Sequence, residues 1–192
     1  WDRGRGSGLH SAHYPREQVQ VDQMKLRSEL PEIAPTSGTQ RGAAPIGLLQ
    51  ELPSIELAAI VYLRAWCKGR ADREMIGRDF TFVLGEREGK KAAEDWDALM
   101  QMLLSGARRP VMRHSLGCEC FGGDESAFAN MIAAAASQDR EDALLFASTL
   151  MTGAAAWVAV QVALPLGQAF LRLARNAGLP GTSKVQQTSY RH

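Results

Sequence analysis

The chain has 192 residues, 45% of them hydrophobic and 22% charged, enough for one domain with a substantial core. Its 22 basic and 21 acidic residues leave a net charge of +1, so composition argues against nucleic acid or anionic lipid as the partner. Three cysteines are too few, and of the wrong parity, for a disulfide framework; they read as reduced thiols of a cytoplasmic protein.

Residues 1–53 carry Pro15, Pro31, Pro35, Pro45 and Pro53 among scattered Gly, Ser, Thr and Gln, with no sustained apolar period. That is the composition of a disordered or loosely docked arm. Its opening, Trp1 to Gly8, lacks the apolar centre of a secretory signal, and Met24 is a candidate start. Near the arm's end, Leu48, Leu49 and Leu52 would share one side of a short docking turn.

From Ser54 the pattern becomes helical. Ser54 reads as the cap of a nearly all-apolar helix over 55–68, closed by Gly69. Its polar residues Glu56, Arg64 and Lys68 fall in one narrow sector, and Cys67 lies at that sector's edge, which makes it a boundary thiol. Residues 79–85 alternate and are rich in aromatic and β-branched types, the signature of a short strand or hairpin. A second helix over 90–105 carries the stripe Trp96, Leu99, Met100 and Leu103, ended by Gly106.

Three further helices follow: one opened by Gly122-Gly123-Asp124 and running to Ala136, with Asp124 as its cap and Glu125 in its first turn, then 140–152 and 154–176. Pro165 should kink or divide the last of these. The reading is therefore a mainly all-α bundle of about five helices over 54–178, a short strand or hairpin near 79–85, and a polar tail over 179–192. The uncharged run Ala143–Leu171 is broken by Gly153 and Pro165 and diluted with alanine, so it reads as buried helices rather than a membrane span. Trp66, Trp96 and Trp157 are all expected in the core.

The segment from His114 to Glu125 holds two of the three cysteines and the sole histidine outside the terminal regions. Cys118 and Cys120 with His114 offer soft thiolate and imidazole donors, and Cys67 could supply a fourth, a Cys3His set for zinc or iron. Two other readings stay open. In one, the thiols pack as small hydrophobes and His114 bonds locally. In the other, the C-x-C pair is a redox element, because a disulfide closing so small a ring is strained and labile. Arg108, Arg109, Arg113 and His114 form a modest basic patch best read as a solvated connector.

No P-loop, nucleophile elbow or dinucleotide fingerprint is present in the sequence. The leading expectation is a non-enzymatic helical protein that acts by binding a protein partner or by self-association. A metal- or thiol-dependent regulator stands second. A cysteine-nucleophile enzyme with His114 as base stands third, for want of a third residue to orient the histidine.

Overall fold

The computed structural model describes residues 41–176; expectations for residues 1–40 and for the tail after 176 lie outside the described residues. Helix α1 (Ser54–Lys68), α2 (Arg70–Leu84) and α3 (Glu86–Gly106) follow one another with a single glycine between each pair. After a long connection come α4 (Gly123–Ala136), α5 (Arg140–Leu150) and α6 (Gly153–Arg175). The protein is mainly α-helical, as its periodicity predicts. The α2–α3 break needs Gly85 itself, whose φ of 83° is a conformation that L side chains rarely adopt.

Residues 79–85 are not a strand: 79–84 are the last turns of α2 and Gly85 is its cap. Ile76 and Phe80 are buried, and Val83 and Leu84 pack beside them, a stripe at i, i+4, i+7 and i+8. Phe82, which strand alternation would place beside Phe80, is instead 89% exposed. Burial of the Ile76–Phe80 stripe overrides local β-propensity. The cap of α1 also differs. Ser54 is the first helical residue, and the Pro53 carbonyl accepts the Leu57 N–H at 3.0 Å.

The centre of the bundle is a ring cluster to which five helices each contribute one member: Tyr62, Phe80, Trp96, Phe128 and Phe170. Their centroids stand 5.2–6.2 Å apart, in tilted or edge-on pairs that suit the aromatic quadrupole. The Tyr62 hydroxyl donates to Asp79 at 2.9 Å, which gives the buried phenol a partner. Helix α6 runs unbroken through Pro165 and lays Ala156, Ala159, Val160, Ala163, Gly167 and Phe170 inward. At Gly167 the backbone of α4 at Ala135 and Ala136 comes so near that a Cβ would collide with it.

By length and composition alone α6 could cross a membrane; 44% of its apolar window is buried against the other helices. Trp157 corrects an expectation. It lies on the outer face of α6, 51% exposed, with the Arg140 guanidinium 5.5 Å above its ring. The inward stripe nearest to it is Ala156, Ala159, Val160 and Ala163, and Trp157 is one position out of phase with it.

Two strands complete the fold. Strand β1 (Pro45–Leu48) pairs antiparallel with β2 (Cys120–Gly122), matching Leu48 to Cys120 and Gly47 to Phe121. Of the expected docking turn, Leu49 and Leu52 pack on the core while Leu48 stays 40% exposed. The end of the arm is thus fastened to the cysteine segment by backbone hydrogen bonds. Replacing Trp96 with Ala should cost about 3–5 kcal/mol, whereas Trp157→Ala should cost under about 1 kcal/mol. Urea unfolding of both variants checks the inward phase of α3 and the outward phase of Trp157.

Candidate functional site: a clasped dithiol loop

Arg64 sits in the middle of α1, 2% exposed, between buried Leu63 and Ala65. The sequence places it on a thin polar stripe; the structure places it inside. A buried guanidinium is tolerated only when its charge and all its N–H groups find partners. Here Nε and Nη2 grip the two carboxylate oxygens of Glu125 at 2.6 and 3.0 Å. Nη1 donates to the Ser115 and Cys118 carbonyls at 3.2 and 2.7 Å, and Nη2 donates again to the Cys120 carbonyl at 2.6 Å. Every donor of the guanidinium is used.

Glu125 is equally occupied. It lies in the first turn of α4, its side chain 0% exposed, and it folds back to accept the Gly122 N–H at 2.9 Å and the His114 N–H at 3.0 Å. It also takes the His114 ring at Nδ1, 2.7 Å away. Burial pushes the carboxyl pKa up, but the hydrogen bonds from Arg64, His114 and the backbone outweigh it and hold the group below the ordinary glutamate value. The ionised acceptor calls for a proton on His114 Nδ1.

Asp124, expected as the helix cap, does other work. Its buried carboxylate binds the Arg109 guanidinium through two bonds of 2.6 Å and accepts the Met112 N–H at 2.8 Å. Gly122 occupies the cap position, and Glu125 satisfies its N–H. Arg108 donates to the Met151 carbonyl at 2.8 Å, so two members of the basic patch are structural pins rather than solvated charges. The connection between α3 and α4 has little regular structure of its own; these two acidic residues hold it in place.

Cys118 and Cys120 stand two residues apart, with Glu119 a bend between them just ahead of β2. Their sulfurs are 2.8 Å apart, and both residues are half-buried and free. The hydrogen bond from the Cys120 thiol, with help from the Cys120 backbone N–H, draws the Cys118 pKa below the usual thiol value. Donating that bond pushes Cys120 the other way. The backbone beneath is held at each peptide: the Cys118 and Cys120 carbonyls face Arg64, and the Glu119 carbonyl accepts the Leu49 N–H at 2.7 Å.

The Cys3His expectation is not assembled. His114 is turned to Glu125, and Cys67 lines a separate pocket with Trp66 and Leu103. Among the described residues, no group of three or more His, Cys, Asp or Glu side chains is placed to hold a metal ion. Nor, among the described residues, does a hydrogen bond join His114 to either thiol, although Glu125 supplies the orienting carboxylate that the sequence did not reveal. Beside the loop, Arg64, Lys68 and residues 113–117 line an open cleft of about 630 Å³. Comparison of the chain with known protein families, curated proteins and solved structures finds no match, so function must be read from this geometry.

Arg64→Met leaves a buried carboxylate without its cation and takes a donor from three carbonyls, of which Ser115 keeps the Cys118 N–H, an expected loss of about 3–5 kcal/mol in urea unfolding. Glu125→Gln should cost a similar amount, and the double variant less than the sum, because each single change removes the same pair. The folded pKa of Glu125 is depressed, so the stability it contributes is fully present above about pH 4.3 and fades as pH falls through the folded value. That share of the acid destabilisation should vanish in Glu125→Gln, as a pH series of unfolding curves would show.

Proposed function

We propose that the protein is a non-enzymatic, thiol-dependent regulator whose responsive element is the Cys118–Cys120 pair. The observation that carries this reading is the contact of two free thiols, 2.8 Å apart, on a segment whose three carbonyls are all engaged. A disulfide bond of ~2.05 Å needs under about one ångström of further approach by the sulfurs. A small organic disulfide is a sufficient oxidant. The Cys118 thiolate displaces one of its sulfurs, forming a mixed disulfide and releasing a thiolate that takes up a proton. Cys120 then loses its proton and attacks the Cys118 sulfur, freeing the second thiol. The protein is oxidised by two electrons and the small disulfide is reduced to two thiols.

The consequence for the rest of the molecule follows from what the backbone of this tripeptide holds. Closing the small C-x-C ring turns the peptides on either side of Glu119. Those peptides carry the Cys118 carbonyl bound to Arg64 and the Glu119 carbonyl bound to Leu49. Oxidation therefore loosens the pairing of β1 with β2 and changes how the arm's end is presented to a protein partner. A reducing, cytoplasmic setting would keep the dithiol form as the resting state.

The test is oxidation of the full chain with a stoichiometric small disulfide, followed by intact mass and amide hydrogen exchange. The expected result is loss of two hydrogens mapped to Cys118 and Cys120, reversed by a dithiol reductant, with faster exchange at residues 45–52 and unchanged exchange in α6. Persistent free thiols at both positions, or oxidation that leaves residues 45–52 as protected as before, would overturn the reading.

A further inference from the structure

A second site lies on the other side of Arg113, and it is independent of the dithiol. Leu63, Trp66, Leu103 and Val111 form apolar walls around a pocket of about 200 Å³, with the Cys67 thiol in its lining and half-exposed Leu104 at its edge. Arg73 and Arg113 also line it. The Arg73 guanidinium lies 3.7 Å from the centre of the Trp66 ring, and its Nε donates to the Trp66 carbonyl at 2.8 Å. Among the described residues neither arginine meets a carboxylate, and no acidic residue lines the pocket. Arg64 and Arg109, by contrast, each hold a carboxylate, Glu125 and Asp124.

Two guanidiniums beside one apolar hollow are complementary to a molecule with an apolar body and a single carboxylate. Guanidinium groups bind carboxylates in a fixed fork, and the apolar walls would cover the remainder. The volume is below the ~300–1,000 Å³ of sites for drug-sized ligands, which limits the occupant to a short aliphatic or single-ring acid. From this arrangement we infer that the pocket between α1, α3 and the start of the cysteine connection binds a small amphipathic carboxylic acid, with Arg73 and Arg113 holding the carboxylate. Cys67 reports on occupancy, since its thiol shares the lining.

The experiment uses the full chain under reducing conditions, with octanoate as the probe and iodoacetamide alkylation followed peptide by peptide. Octanoate should slow modification of Cys67 saturably and leave the rates at Cys118 and Cys120 unchanged. Octanol and octylammonium should protect far less at equal concentration. Arg113→Gln should raise the octanoate concentration for half-protection about tenfold, the worth of one charge-assisted hydrogen bond. Leu104→Asp, an exposed position that brings a competing carboxylate to the edge, should abolish protection without unfolding the chain. Equal protection by all three probes would reduce the site to a greasy dimple and overturn the inference. So would unaltered Cys67 alkylation together with no octanoate-dependent shifts in an NMR titration.

Discussion

A guanidinium in the middle of an apolar helix imposes conditions on everything around it. Arg64 must have a carboxylate, and it must have acceptors for the N–H groups the carboxylate does not take. Glu125 fills the first condition from the start of α4, and the Ser115, Cys118 and Cys120 carbonyls fill the second. Those five bonds join α1, α4 and the turn before β2, elements 51 to 61 residues apart in the chain. The long connection after α3 has its course set by what Arg64 and Glu125 require, and β1 in turn pairs with the strand so positioned.

Buried ion pairs are poor sources of net stability, since desolvation offsets most of the attraction, and an apolar replacement of equal shape often does as well. This pair differs because its partners are mostly backbone. Removing it would take donors from the Cys118 and Cys120 carbonyls and the acceptor from two N–H groups, which apolar packing cannot replace. Its contribution is to conformational uniqueness: one geometry of an irregular loop meets all the bonds at once. The Asp124 carboxylate repeats the scheme one residue earlier, joining Arg109 and the Met112 N–H.

Most of the helical architecture was legible because burial follows the 3.6-residue period in α1, α3, α4 and α6. The misreadings share a cause. At residues 79–85 and at Trp157, residue type was allowed to stand for residue phase, and in both cases the phase of the helix decided which side chains are buried. The cysteine segment stands out in the sequence as unusual; what organises it is less plain. Arg64 was visible as a lone long cation among Ile60, Leu63 and Ala65, and a buried arginine demands a buried acid. Which acid, among the 21 in the chain, is not a property of spacing. It depends on α1 meeting α4, a tertiary fact no local pattern encodes. The same holds for Cys67, whose boundary position was readable while its separation from the other thiols was not.

The two faces of the Cys-Glu-Cys segment serve different ends. Its carbonyls are committed to Arg64 and to the Leu49 N–H just after β1, while its sulfurs meet each other. Chemistry at the sulfurs cannot leave the carbonyls untouched, because only one residue separates the two α-carbons and its peptides are the ones being held. An ordinary surface dithiol would report oxidation only locally. In the proposed oxidised form, strain from ring closure would fall on a buried charge pair and on the hydrogen bond that fastens residue 49. The least costly response is to give up the bonds that stabilise least. The exposed β1 pairing, with Leu48 at 40% exposure, is less enclosed than the clasp behind it, so under the proposed oxidation residues 45–49 would yield before the core.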